Sequence, residues 1–494
     1  MTIATPPALY FLHIPRTAGT VIRYWLWEFF SVDDFCDVHY YSDFALLDPD
    51  KAARHGFYSG HFGYRGIERM PTGTKVVTVL RDADDHMRSL KSYSLNKTLH
   101  HLAPTGYDSF FAEAAALAGI DYEVARDNRD SNFQTRNLVD HYSWETVAPM
   151  TAADLAQATR NLAGMAAIGL TDRLAETALL FCFALGWPPS AIVDNSNASD
   201  RHAAQADPQF QSFLTRLAGK NKLDEALVAF ARENFDMRLN AMRTALGLPA
   251  DLDLTSAAGR RSAEDALRQR FLRSEPETDL VSHGAWQVQD ALFFEGFASR
   301  TYWPERGSYA RWAKPEADAV IYLPLAKVGR KLVIEVELNV GAEEHIRPSL
   351  QLSINGLPLE AQCSTRDEGD DVYIDTLVAA IPASSLIAAQ GWQALGIKCQ
   401  PMDNTPPFAL ISITLRGDAG PEALPVFVTA LRKIFIIMRA IKSTRFWRKR
   451  PPAPELPQRT SLLRTAGRRW ALSTRRLLAF RWGREAPLQP RSGK

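Results

Sequence analysis

The chain predicts an α/β architecture with an all-β addition: a P-loop-like parallel sheet flanked by helices, then an antiparallel β-sandwich and a basic helical tail. Three observations predict it. The apolar run Leu9-Tyr10-Phe11-Leu12-His13-Ile14 breaks at Pro15-Arg16-Thr17-Ala18-Gly19-Thr20 and resumes with helical spacing. A β-branched run, Val76-Val77-Thr78-Val79-Leu80, ends at Arg81-Asp82 and leads into a second helical pattern that carries Ser89. Beyond about residue 285 the hydrophobic period changes from helical to alternating.

The first of these reads as strand, loop, helix. Unpaired amides and the positive end of a helix dipole at such a turn suit a phosphate or a similar anion. Gly19 and the two threonines fit an ordinary helix cap equally well. In the second element, an arginine at a strand end and a hydroxyl on the next helix can converge on a second phosphate.

Taken together, the two elements resemble the cofactor signatures of sulfotransferases that use 3'-phosphoadenosine 5'-phosphosulfate. The likeness is to the carbohydrate branch that includes the uronyl 2-O-sulfotransferases. Its "HIPKTAGT" motif is matched by His13-Ile14-Pro15-Arg16-Thr17-Ala18-Gly19-Thr20, and its "RDP..R..S" motif by Arg81-Asp82-Ala83 through Ser89. Further segments follow in the family's order. Ser59-Gly60-His61-Phe62 resembles a "GH" segment, Asn132 to Leu138 an "N.QTR.L" segment, and Ile168 to Arg173 a "GLTER" strand and turn. Asp194-Asn195-Ser196-Asn197 is similar to a later asparagine-bearing turn, and the resemblance covers roughly residues 8 to 250. This chain departs from the pattern in having Arg16 for lysine, Ala83 for proline and His86 for arginine. A planar guanidinium and a point charge are not interchangeable, so Arg16 bears on how charge at the breaking bond is met.

The resemblance implies transfer of a sulfuryl group to a hydroxyl of a carbohydrate or glycoconjugate. Arg16 would lie beside the bridging oxygen, with the amides of Thr17, Ala18, Gly19 and Thr20 around the 5'-phosphate. Arg81 and Ser89 would hold the 3'-phosphate, and Thr171 and Arg173 would lie near the adenosine. His61 is the expected base, because imidazole titrates near neutral pH and the family's histidine falls on it. Lys91, Lys97 and Arg136 are candidates for contact with the acceptor, Arg136 having a helix-face salt bridge as its other reading. No metal is needed, and no cluster of ligands is visible. Two rival readings are a P-loop nucleotide kinase, against which the chain lacks GxxxxGK[ST], and a catalytically silent glycan-binding protein.

At 494 residues and 46% hydrophobic content, the chain can bury two or three cores of ordinary size. The residues before Leu9 carry no basic group of a secretory signal. Animal relatives in this branch are membrane-anchored Golgi proteins, so a cytoplasmic, bacterial enzyme is expected. Cys36, Cys182, Cys363 and Cys399 lack metal-ligand spacing and read as reduced core residues.

The expected parts are a cofactor-binding domain over 1–250, a linker over 251–285 with one helix, Ser262 to Phe271, a β-sandwich over 286–418 and a tail over 419–494. Lys331 to Leu338 and Leu350 to Ile354 alternate, and Asn355-Gly356 between two such runs signals a hairpin. Short runs at Val372 to Val378, Trp392 to Cys399 and Ala409 to Leu415 complete a sandwich pattern. The aromatics of Tyr302 to Trp312 are expected to fill its interior, with stacking on sugar rings as the alternative.

Net charge is +1, but sixteen of the 57 Lys and Arg, against two of the 56 acids, fall between Arg439 and Lys494. Leu424 to Ile441 holds Arg432 and Lys433 at its centre and reads as a docked or interfacial helix rather than a membrane span. The Arg- and Trp-bearing tail suits either an anionic membrane surface at the cytoplasmic face or a disordered, solvated state; nucleic acid is not an expected partner.

Overall fold

The computed structural model describes residues 7–99, 116, 119–140, 148–192, 208–276, 284–290, 293–303, 308–315, 318–325, 332–340, 349–368, 373–386, 391–399 and 408–417; for 93–99 and 208–209 it describes the backbone alone. The expected interfacial helix and basic tail, and the turn Asp194 to Asn197, lie outside these residues.

The N-terminal half is built on a five-stranded parallel sheet. Its strands are β1 (Leu9–Leu12), β2 (Phe35–Cys36), β3 (Phe57–Gly60), β4 (Lys75–Leu80) and β5 (Ala167–Leu170), in the order β2-β3-β1-β4-β5. Burial on both faces explains the unbroken apolar runs: every residue of β1, β3 and β5 is buried, and in β4 only Lys75 is not. β1 sits at the centre, with Leu12 opposite Gly60 on one side and Thr78 on the other. In a parallel sheet the carboxyl ends of all strands share one edge, and ligands bind there where the strand order reverses. The segments after β1, β3, β4 and β5 are those that hold the residues singled out above.

Helices cover the sheet. α1 (Gly19–Trp27) follows the first loop and buries Ile22, Trp25 and Leu26. The helix Ala83–Leu99 follows β4, Leu174–Leu185 follows β5, and the long Lys222–Ala245 helix buries Leu227, Val228, Ala231, Phe235, Leu239 and Met242 against the same core.

The C-terminal half is antiparallel, as expected. Its strands are β6 (Gly284–Gln287), β7 (Phe293–Glu295), β8 (Thr301–Trp303), β9 (Ser308–Trp312), β10 (Ala319–Pro324), β11 (Leu332–Asn339), β12 (Gln351–Ile354), β13 (Leu357–Leu359), β14 (Ala361–Asp367), β15 (Tyr373–Ile381), β16 (Trp392–Lys398) and β17 (Ala409–Gly417). One sheet runs β13-β12-β16-β10-β7 and the other β14-β15-β11-β17-β9-β8, with β6 also on β17. Alternate residues Leu332, Ile334, Val336 and Leu338 of one sheet share a single apolar cluster with Ile321, Leu323, Leu395 and Ile397 of the other. The Asn355-Gly356 hairpin is present, with positive φ at both residues (53° and 82°) and Leu352 paired with Leu359.

Two findings depart from expectation. Tyr302 and Trp312 do not fill the interior: they are 49% and 37% exposed, while Ala310 and Arg311 between the two aromatics of β9 are the buried positions. The charged stretch read as a linker carries its expected helix, longer than foreseen at Ala257–Arg273, but it is no free connector: it packs Ala263 and Leu267 into the first core and Phe271 against Tyr322 and Trp392 of the second half. Cys36 and Cys182 are buried, as core residues should be, whereas Cys363 is exposed on an edge strand and Cys399 is half-buried, so these two do not belong to the core.

Among the described residues, no helix is long and apolar enough to cross a membrane.

Candidate functional site

Between β1 and α1 the backbone alternates in hand. Arg16 has φ 69° and Ala18 has φ 61°, with Thr17 between them. Non-glycine residues avoid this region, so two within three positions mark a loop held by its surroundings. Such alternation turns successive amides toward one side and forms an anion-sized concavity. Thr17 is buried and closes the turn: its hydroxyl donates to the Ile14 carbonyl at 2.9 Å and its amide to the same carbonyl at 3.4 Å, so this amide is turned into the loop and not toward an anion, contrary to expectation. Ala18 caps α1 without a side-chain bond, and the first amides of any helix lack an intrahelical partner. Thr20 is exposed on the first turn.

Gly19 is required by its neighbour. A Cβ there would lie 1.6 Å from His13 Nε2, because the His13 ring lies against the start of α1. That ring is buried and held well below its usual pKa, chiefly by burial, with His61, His39, Arg23 and Arg16 adding to the effect. It is therefore neutral at neutral pH.

The second element is drawn onto the first. Arg81, at the carboxyl end of β4, donates from Nη1 to the Arg16 carbonyl at 3.2 Å, and Arg16 Nε donates to Ser89 Oγ at 3.1 Å. His86, one turn before Ser89, is buried and donates from Nε2 to the Pro15 carbonyl at 2.8 Å. Burial pushes it down to about 4, with Arg81 and Arg16 contributing and the Pro15 bond opposing. Arg16, Arg81 and Ser89 thus share one hydrogen-bonded corner, with His86 fastening the loop behind it.

From the other side of β1, the segment after β3 brings His61. Its Nδ1 bonds the His13 carbonyl at 2.8 Å, which assigns Nδ1 as the protonated nitrogen and leaves Nε2 as the basic one. The backbone amide of His61 donates to the His39 carbonyl at 2.8 Å, and the His39 ring stands edge-on to His61 at 4.5 Å between centroids. His13 lies 4.5 Å from His61 by the same measure. No group of His, Cys, Asp and Glu among the described residues has the arrangement of a metal site.

A scaffold behind the corner fixes Arg81. The side-chain amide of Gln134 accepts from Arg81 N at 3.0 Å and donates to Arg81 O at 2.8 Å, bracketing that residue's backbone. Gln134 is positioned by a reciprocal cap. Asp224 accepts from Gln134 N and Thr135 N, while Asn132 Oδ1 accepts from Leu223 N and Asp224 N at the start of the long helix. Burial raises the Asp224 pKa, and its bonds to Thr135 and Gln134 oppose that rise.

The remaining candidates are placed differently. Thr171 is half-buried at the end of β5, its amide donating to the Leu80 carbonyl at 3.0 Å. Arg173 is engaged by two carboxylates, Glu176 at 2.6 Å and Asp236 at 2.5 Å, and lies over the Phe235 ring. Arg136 is buried and donates to the carbonyls of Asn128 and Ala148, so it braces the chain instead of meeting an acceptor, and the salt bridge expected as its other reading is replaced by carbonyl bonds. Lys91 sits over the Phe213 ring at 5.2 Å. Lys97 falls in the Ala83–Leu99 helix, its side chain outside the described residues.

Nothing in the local pattern marks His39, whose proximity to His61 depends on the path of the chain between β2 and β3. Gln134 lay inside a matched segment, but its bracket on Arg81 needed the fold to be seen.

Comparison with protein-family models finds no match, and no curated protein matches. Among solved structures the chain is similar to a family GH115 4-O-methyl-alpha-glucuronidase with specificity for decorated arabinogalactans, at 9% identity and a TM-score of 0.17. The match covers 72% of this chain and 53% of that one, so the chain spans about half its length. An overlap so poor assigns neither fold nor activity.

Proposed function

We propose that the chain is a sulfotransferase that moves a sulfuryl group from 3'-phosphoadenosine 5'-phosphosulfate to a hydroxyl of a carbohydrate or glycoconjugate. The observation that carries this reading is the convergence of the Arg16–Ser89 and Arg81–Arg16 contacts on a left-handed loop, beside an imidazole of defined tautomer. The residues fit such a donor: the alternating loop suits a 5'-phosphosulfate in P-loop fashion, and a cationic corner with a hydroxyl suits a 3'-phosphate.

When bound, the donor supplies the activated sulfuryl group. Arg16 and the amides of Ala18 to Thr20 hold its charged end, and positive charge there stabilises the leaving phosphate as the bond breaks. Arg81 and Ser89 hold the 3'-phosphate, which distinguishes this donor from ATP. His61 takes the acceptor's hydroxyl proton at Nε2, while its Nδ1 bond to His13 keeps the ring oriented. His13 and His86 remain neutral and serve as spacers and fasteners.

Calorimetric titration with 3',5'-adenosine bisphosphate and with ATP tests this reading, using wild type and an Arg81→Ala, Ser89→Ala double variant. Charge-assisted hydrogen bonds contribute about 1.5–3 kcal/mol each, so the double variant should lose at least about 100-fold in affinity for the bisphosphate and little for ATP. If ATP binds as well as the bisphosphate, a nucleotide phosphotransferase replaces the sulfotransferase. If neither binds, the loop is not a nucleotide site.

A further inference from the structure

The antiparallel half grips the far end of the helix that carries the anion loop. Arg300 donates to the carbonyls of Trp27 at 2.6 Å and Phe30 at 2.9 Å, its ring-facing side lies over Trp27, and its backbone amide points to the Glu28 carboxylate. Arg311 of β9 donates to the Glu28 carbonyl at 3.2 Å and pairs with its carboxylate at 2.5 Å. The Arg300 and Arg311 side chains are 3% and 4% exposed and that of Glu28 19%. Buried charges of this kind hold only in one geometry, because each cation left without its carboxylate would be strongly unfavourable.

These contacts bond carbonyls at and just beyond the last turn of α1, adding to the bond that Trp27 O already accepts from Phe30 N, and they put positive charge at the negative end of the α1 dipole. The apolar face of α1, with Ile22, Trp25 and Leu26, holds the helix against the sheet without direction. Position along the helix axis needs directional bonds. At one end they come from Arg300 and Arg311; at the other, nine residues away, stand Ala18 and the loop.

We propose that Arg300 and Arg311, acting through Glu28, are positioning residues for the anion loop, so that the antiparallel half is a working part of the site and not a tethered accessory. The proposal rests on the reading of the loop as the donor site. It implies that a disturbance at Arg311 travels along α1 to Thr17 and Ala18, whereas one elsewhere between the halves does not.

The test compares Arg311→Met with Glu295→Gln. Two guanidiniums share the Glu28 carboxylate, so removing Arg311 leaves Glu28 paired one-to-one with Arg300 and strands no buried charge. Glu295 ties the Ala257–Arg273 helix to the antiparallel half through Arg268 at 2.7 Å, is held within its sheet by Tyr322 at 2.5 Å, and among the described residues makes no hydrogen bond or ion pair with α1. Two quantities are read in the full chain: affinity for 3',5'-adenosine bisphosphate, and amide exchange at Thr17 and Ile22, whose N–H groups bond the Ile14 and Ala18 carbonyls. Arg311→Met should weaken bisphosphate binding about 10- to 100-fold and speed exchange at both amides, while Glu295→Gln changes neither. Arg311→Lys, which keeps the charge, should recover part of both losses and serves if the methionine variant does not fold. Wild-type exchange and affinity in Arg311→Met, or an equal effect in Glu295→Gln, would overturn the proposal. If wild type binds no bisphosphate, the donor reading fails, and the exchange comparison alone decides the positioning role.

Discussion

Gly19→Ala sets two opposed effects against each other at the first residue of α1. Helix propensity favours alanine over glycine by up to about 1 kcal/mol. Sterics oppose it, since the added Cβ would stand 1.6 Å from His13 Nε2, 1.8 Å from Cδ2 and 2.5 Å from Cε1. The ring has nowhere easy to go: it is buried, stacked on Phe11 at 5.6 Å and packed on His61 at 4.5 Å. Overpacking of this kind costs about 1–3 kcal/mol, and overlap this deep belongs at the upper end, which leaves a net loss of roughly 2 kcal/mol. At about 2–4 °C per kcal/mol, the midpoint of thermal unfolding should fall by about 4–8 °C. Differential scanning calorimetry of four proteins checks the cause: wild type, Gly19→Ala, His13→Ala and the double variant. With the ring removed, Gly19→Ala should be neutral or slightly stabilising. An equal penalty in both backgrounds, or a single variant as stable as wild type, would refute the steric reasoning.

Two further predictions concern the groups behind the site. His86 has a folded pKa of about 4 against 6.5, so below pH 6.5 the unfolded chain takes up a proton that the folded one refuses. Its contribution is complete above pH 6.5 and is lost as pH falls toward 4, by roughly 3 kcal/mol. Urea midpoints across that range should decline more shallowly in His86→Gln than in wild type, with buried His13 accounting for part of what remains; equal slopes would remove His86 from the account. Gln134→Leu leaves the amide and carbonyl of Arg81 without their side-chain partners, at about 1–3 kcal/mol each. It should lower stability by about 2–6 kcal/mol and weaken bisphosphate binding, and unchanged urea stability would show that the bracket matters little.

The fold was readable wherever local pattern decides it. β1, β4 and β5 are apolar runs because a parallel sheet is covered on both faces, and β11 alternates because one face of its sheet is not. Asn355-Gly356 needs nothing beyond its own dihedral preferences. What could not be read depends on distant partners. A cation in a sequence does not name its neighbour, and Arg173 and Arg136 are engaged by carboxylates and carbonyls that the fold supplies. Glu28 meets Arg300 across 272 positions, a pairing without a local signature. The helix over Ala257–Arg273 did carry a signal: Gly259, Ala263, Leu267 and Phe271, each four apart, form a narrow buried stripe among charges.

The reciprocal cap between Asn132 and Asp224 has a consequence for how the chain reaches this state. Each supplies the first bonds of the other's helix, yet they are separated by some ninety residues. Neither helix start is satisfied until that long loop has closed, and closure over such a span is entropically slow. Gln134 depends on this event for its place, and Arg81 depends on Gln134. During synthesis the corner that would hold a phosphate therefore cannot be assembled while residue 224 is still unmade, however early β1 and β4 pair.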